Sequence, residues 1–268
     1  MSSRSSNPDF ADAKSGFERL VRIMARLRAK DGCPWDRAQT HSSLKKHIIE
    51  EAYELCDAID SRNSTKLKDE LGDFLFQVIF QAQIAKERGA FGIDDVLKTS
   101  CEKMLNRHPH VFGKRRAKDP DDAYRHWQSR KEREKSYRDR KSILDGVPKT
   151  LPALIKAQKV SKRAAHQGFD WPDVKFVVDK VHEELEEVKA EIKSGNKRRL
   201  AEEIGDLLFV IVILSRFGGV DAEDSLHSAT KKFARRFRNI ERALKKQNKK
   251  INECGFEELH RLWRLDNL

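Results

Sequence analysis

The chain has 268 residues, with 55 lysines and arginines against 43 acids, a formal net charge of +12 and only 8% aromatic residues. Four scattered cysteines (Cys33, Cys56, Cys101, Cys254) with no C-x-x-C pair exclude a disulfide framework and a zinc knuckle, and fit a reducing, cytoplasmic setting. The opening MSSRSSNPDF lacks the apolar core of a signal peptide, the longest apolar run, Leu207 to Leu214, is far too short for a membrane span, and the basic balance points to acidic partners: nucleic acid, an anionic surface or phosphorylated small molecules.

In chain order the sequence reads as helix after helix. Phe17, Leu20, Val21, Met24 and Leu27 recur at helical spacing, and the breaker loop DGCPWD (Asp31 to Asp36) follows, expected to pack Trp35 and turn the chain. The next helix carries Leu44, Ile48, Ala52, Leu55 and Ile59 on one stripe. SRNS (Ser61 to Ser64) breaks it, with Asn63 placed to cap the helix that carries Leu67, Leu71, Leu75, Val78 and Ala82. A further helix is expected from about Asp94 to Arg107, stopped by Pro109, and RHPH (Arg107 to His110) suits a helix stop better than a metal-ligand pair. A highly charged segment around Trp127 to Arg140 and a linker, DGVPKTLP (Asp145 to Pro152), close the first half.

The chain then repeats itself. Adding 133 carries the first stripe onto Val177, Val181, Leu185, Val188 and Ile192, and the second onto Leu200, Ile204, Leu208 and Ile211. It also carries Asn63 onto Asn196, and Glu50, Glu51, Glu54, Glu70 and Asp73 onto Glu183, Glu184, Glu187, Glu203 and Asp206. The fold expected is all-α, with two tandem homologous helical-bundle domains, residues 1–147 and 148–268.

Two antiparallel helices joined by a short turn bring residues equidistant from the turn to one level. Glu54 and Glu70, and Glu51 and Asp73, are both centred on position 62; Glu187 with Glu203, and Glu184 with Asp206, are centred on 195. Within each helix the spacing of three keeps both acids on one face. Each hairpin should therefore gather four carboxylates about one helical turn deep, flanking the apolar seam, with Glu50 or Glu183 alongside. Four carboxylates that close repel one another, and a hard divalent cation, Mg²⁺ or Mn²⁺, relieves the repulsion; a softer metal would want His or Cys at these spacings. Gly72 and Gly205 cost about 1 kcal/mol each inside a helix, which suggests another backbone passing close.

The pattern EEAYE…ELGD, written again as EELEE…EIGD, resembles the all-α nucleoside triphosphate pyrophosphohydrolase superfamily. With GCPWD, NRHPHVF (Asn106 to Phe112) and GFDW (Gly168 to Trp171), the likeness to its two-domain members covers nearly the whole chain after the first ten or so residues. It implies Mg²⁺-dependent hydrolysis of NTPs or dNTPs to the monophosphate and pyrophosphate, with water attacking the α-phosphate. The ligand set implied is Glu184, Glu187, Glu203 and Asp206, with Glu183 or Glu184 orienting the water; Glu51, Glu54, Glu70 and Asp73 form a second, weaker site. Lys180, Lys232, Arg235, Arg236 and Trp263 are the implied nucleotide contacts, whereas the first half offers only Lys103 and Arg107. In the family a lysine often follows this tryptophan by four residues; Trp127 and Lys131 keep that spacing, but Asn267 follows Trp263.

Rival classes fare worse. A ferritin-like di-metal oxidase needs Glu-x-x-His pairs, which neither hairpin has. A non-catalytic, basic nucleic-acid-binding protein fits the charge but leaves two acid clusters facing phosphate without a purpose. No P-loop is present. One hairpin is a thin core, so a homodimer is expected.

Overall fold

A computed structural model describes residues 14–134 and 140–265. The helices, in order, are α1 (Gly16–Arg28), α2 (Pro34–Ala38), α3 (Lys45–Ser61), α4 (Ser64–Glu87), α5 (Ile93–Arg107), α6 (Pro109–Phe112), α7 (Pro120–Glu132), α8 (Ala153–Ala165), α9 (Val174–Ser194), α10 (Lys197–Phe217), α11 (Ala222–Lys246) and α12 (Phe256–Leu265). Among the described residues there is no strand. The fold is all-α, as the periodicities require.

The chain divides into two compact units, residues 1–134 and 135–268. The division falls before the 147/148 joint expected from the linker composition. The reason is local: the Arg163 guanidinium on α8 donates to the carbonyls of Ile143 (2.9 Å) and Asp145 (2.8 Å), so the start of DGVPKTLP is tied into the second unit.

In the first unit the core is Met24, Leu44, Ile79, Phe80 and Ile84, with Phe17, Leu20, Val21, Phe76 and Ile93 packed against it. Its charged staple is Arg28 at the end of α1. That side chain forms a bidentate bridge to Glu87 at the end of α4, donates to the carbonyls of Asp36 and Gln39, and lies over the Phe80 ring at 5.4 Å. The expected DGCPWD loop is half helix, because Pro34 pre-sets φ for the first turn of α2. Gly32 is required before it: a Cβ there would sit 2.2 Å from the Leu27 carbonyl oxygen. Trp35 is 54% exposed rather than packed, and its ring meets His47 edge-on at 6.0 Å. Pro109 ends α5 and opens α6 one residue later. In the second unit Val177, Val188, Val210, Val212, Ile240 and Leu244 are buried. The GFDW turn is fixed there by Asp170, which accepts from the Arg216 guanidinium at 2.5 and 2.9 Å.

Candidate active site

The two hairpins, α3–α4 and α9–α10, begin at their turns. Asn63 Oδ1 accepts the N–H groups of Thr65 (3.0 Å) and Lys66 (3.2 Å), and Asn196 Oδ1 accepts that of Arg199 (3.2 Å). Both expected caps are present. The residue before each cap is left-handed: Arg62 at φ 53° and its counterpart Gly195 at φ 71°. Glycine enters that region without a Cβ clash, so only the first hairpin carries strain at its turn.

These turns set the register that brings acids together. In the second unit, carboxylate oxygens of Glu184, Glu187 and Glu203 all lie within 4.8 Å of one another; in the first, those of Glu51, Glu54 and Glu70 do. The expected quartets are trios in this geometry. Asp206 and Asp73 lie outside them and are exposed, being one helical turn further along and one methylene shorter than glutamate. Asp73 still acts at a distance. Burial, then the charges of Asp73 and Glu54, push the Glu51 carboxyl above its usual range. Loss of solvent, then Glu184 and Glu203, push Glu187 up in the same way.

The second cluster is the more deeply set. Glu184 is 4% exposed. Lys180, one turn earlier on α9, donates to Glu183 Oε1 at 2.6 Å and reaches Glu184 Oε1 at 2.9 Å, and both carboxylates hold its ammonium group charged. Glu184 Oε2 is buried without a hydrogen-bond partner among the described residues. An unsatisfied buried acceptor costs on the order of 1–3 kcal/mol, more when charged. A hard cation is the ligand that would satisfy this oxygen and relieve the trio, so the donor set fits Mg²⁺ or Mn²⁺. In the first unit His47 stands where Lys180 does, with its Nδ1 3.0 Å from Glu50 Oε2.

Another set forms on α11 and α12. Arg236 lies over the Trp263 ring at 5.3 Å, and Phe233 packs on the same ring at 5.1 Å. Lys232 and Arg235 are exposed on α11. Asn267 is outside the described residues. The first unit has the same arginine-over-tryptophan pairing, Arg107 over Trp127 at 5.4 Å, with Lys131 on that ring at 4.5 Å. There Glu134 accepts from Arg107 at 2.7 and 2.8 Å. Neither Glu134 nor Phe233 stands out in the sequence. Glu134 is one charge among many in and after α7, and Phe233 is an apolar residue on a basic helix like several others there. Gly72 and Gly205 run against expectation: a Cβ at either would meet nothing within 4 Å, so no described backbone passes close.

A family model described as the MazG nucleotide pyrophosphohydrolase domain matches residues 39–112 and 174–241, one match over each hairpin. A Thermotoga maritima protein named nucleoside triphosphate pyrophosphohydrolase/pyrophosphatase MazG is 47% identical over 247 residues, covering 92% of this chain and 94% of its own. The Escherichia coli K12 nucleoside triphosphate pyrophosphohydrolase is 41% identical over 250 residues, covering 92% of this chain and 95% of its own.

Proposed function

The chain belongs to the MazG nucleotide pyrophosphohydrolase family, and on that premise we propose that it hydrolyses NTPs or dNTPs to the nucleoside monophosphate and pyrophosphate in a Mg²⁺-dependent reaction, mainly in its second unit. The observation that carries this reading is the trio Glu184, Glu187 and Glu203 with the orphaned, buried Glu184 Oε2. These three would hold the ion, with Asp206 as a fourth carboxylate and Mn²⁺ able to replace Mg²⁺. Bound there, magnesium supplies charge neutralisation and polarises phosphate oxygens.

The chain's own groups do the rest. Glu183, exposed and steadied by Lys180, orients the water toward the α-phosphate. Lys180, Lys232, Arg235 and Arg236 receive the triphosphate, and offset the charge that collects on the departing pyrophosphate. Trp263 offers a ring face to the base. The first unit's trio is the weaker site, because its unit offers only Lys103 and Arg107 where the second offers Lys180, Lys232, Arg235 and Arg236. Nucleic acid is not required, and the working form is a homodimer in the cytoplasm.

The test is metal removal. Protein stripped with chelator should lose pyrophosphate release from a panel of NTPs and dNTPs and regain it with Mg²⁺ or Mn²⁺, less well with Ca²⁺, which prefers longer bonds and more ligands. Full activity in excess EDTA would end this reading.

A further inference from the structure

One lysine divides its ammonium group between two neighbouring acids of the second unit. From α9, Lys180 reaches the carboxylates three and four places on, Glu183 Oε1 at 2.6 Å and Glu184 Oε1 at 2.9 Å. The two acids differ in setting: the Glu183 side chain is 59% exposed and that of Glu184 only 6%. The oxygens of Glu184 are therefore unlike each other. Oε1 is held by a charge-assisted contact, whereas Oε2 is buried without a hydrogen-bond partner among the described residues. Glu183, the adjacent acid that could add an oxygen to the trio, is tied by the same ammonium group.

We infer that Lys180 sets which divalent ion the second unit accepts: with Oε1 held by the lysine, Glu184 gives an ion one oxygen and not two, which favours Mg²⁺ and Mn²⁺ over Ca²⁺. The chemistry is one of ligand number. Ca²⁺ gathers more oxygens at longer distances and commonly takes both oxygens of one carboxylate, whereas Mg²⁺ keeps a tight octahedron filled out with water. An oxygen engaged by Lys180 is thus one that Ca²⁺ misses and Mg²⁺ does not need. Lys180 acts here through Glu184 and Glu183, as a positioning residue, and its third N–H stays available to a phosphate. The inference rests on the proposed function for the presence of an ion, and concerns only which ion.

The duplication supplies an internal comparison. Subtracting 133 puts His47 at the place of Lys180, and Glu50 and Glu51 at those of Glu183 and Glu184. His47 Nδ1 lies 3.0 Å from Glu50 Oε2, and no ion pair holds Glu51 among the described residues. The two ring nitrogens of an imidazole point to different sides, so the ring does not bridge neighbouring carboxylates as an ammonium group does. The first-unit trio should therefore discriminate less between the ions.

The experiment reads ion binding without nucleotide or turnover. Full-length protein carrying Glu54→Gln and Glu70→Gln, which removes first-unit ligands, is stripped with chelator and loaded with Mn²⁺, and electron paramagnetic resonance follows displacement by Mg²⁺ and by Ca²⁺. In that background Lys180→Met should move the ratio of the two displacement constants toward Ca²⁺ by about tenfold, the lower end of what partners of metal ligands contribute. Lys180→Arg, which keeps a cation with donors for both carboxylates, should stay near the parent ratio. In the complementary background, Glu187→Gln with Glu203→Gln, the first-unit ratio should lie toward Ca²⁺, and His47→Lys should draw it back toward Mg²⁺. A lysine that served only as a nearby charge or as a folding contact would change both affinities by one factor. An unchanged ratio in Lys180→Met, or an arginine variant shifted as far as the methionine one, would therefore overturn the inference. Should Lys180→Met fail to fold by circular dichroism, the His47→Lys arm decides, and no movement toward Mg²⁺ there overturns it as well. Absence of bound Mn²⁺ from the parent protein's second unit would instead remove the metal reading of the proposed function, and this inference with it.

Discussion

At the scale of single residues, the weight falls on glutamates whose lengths let three oxygens meet across a hairpin. Glu187→Gln or Glu203→Gln should cut kcat of pyrophosphate release by on the order of 10²-fold or more, by analogy with removing one group that stabilises transition-state charge. Glu54→Gln should cost far less, because its unit has the imidazole of His47 beside Glu50 where the second unit has the Lys180 ammonium bridging Glu183 and Glu184, and offers fewer cations for the triphosphate. Equal losses in steady-state assays, with folding checked by circular dichroism, would make the two sites equivalents. The acids themselves were legible in the sequence, since mirror positions about 62 and 195 need only helical spacing and a turn. What the sequence concealed was depth: that Glu184 is buried with one oxygen unpaired while Asp206 and Asp73 stand in solvent depends on packing between helices, which periodicity does not encode.

At the scale of helices, the turn chemistry was readable and the glycines were not. Asn63 and Asn196 announce their caps by type and position, whereas Gly72 and Gly205 suggested a crossing backbone that the described chain does not contain. Gly72→Ala and Gly205→Ala should therefore stabilise their units by about 1 kcal/mol in urea titrations, the ordinary gain of alanine over glycine within a helix. A loss of that size, accompanied by loss of self-association, would put a partner subunit's backbone at these positions. Helix α7 has almost no apolar stripe to reveal it, although its start is written plainly: Asp119 caps through Asp122 N–H, Pro120 opens the first turn, and Asp121 and Asp122 follow. The end of α5 is fastened to Glu134, just past α7, by the Arg107 bridge, whose side chains are 13% and 16% exposed. Arg107 holds the Glu134 carboxyl below its ordinary value of 4.5. A depressed folded-state value gives stability that is present above the unfolded value and lost as pH falls through the folded one. Glu134→Gln should accordingly lower first-unit stability by about 1–2 kcal/mol at pH 7, and the gap to wild type should close in melts run progressively below pH 4.5.

At the scale of the whole molecule, each hairpin leaves apolar side chains uncovered. Ile192 is 62% exposed and Leu208 51%, and in the first unit Ile59 and Leu71 are 56% and 51% exposed. The stripes were legible as stripes, but part of each faces outward instead of into its own unit's core. A second copy of the chain is the partner expected to cover them, so the melting temperature should rise with protein concentration and sedimentation should give a dimer at micromolar concentration. A clean 31.1 kDa monomer with a concentration-independent melt would refute that. The duplication has one more consequence, for how the chain finds its fold. Because the stripes of the two hairpins keep one register, α3 presents to α10 nearly the same pattern of side chains that it presents to α4. Such near-duplicate segments in one polypeptide invite crossed pairing, the characteristic failure of repetitive chains. Synthesis from the N-terminus resolves the ambiguity by timing, since α3 and α4 emerge and close on each other before α9 has left the ribosome. A chain returning from denaturant has no such schedule and must sort kin from counterfeit by the small differences between the copies: a lysine for a histidine, a glycine for an arginine, a valine and a leucine for two glutamines.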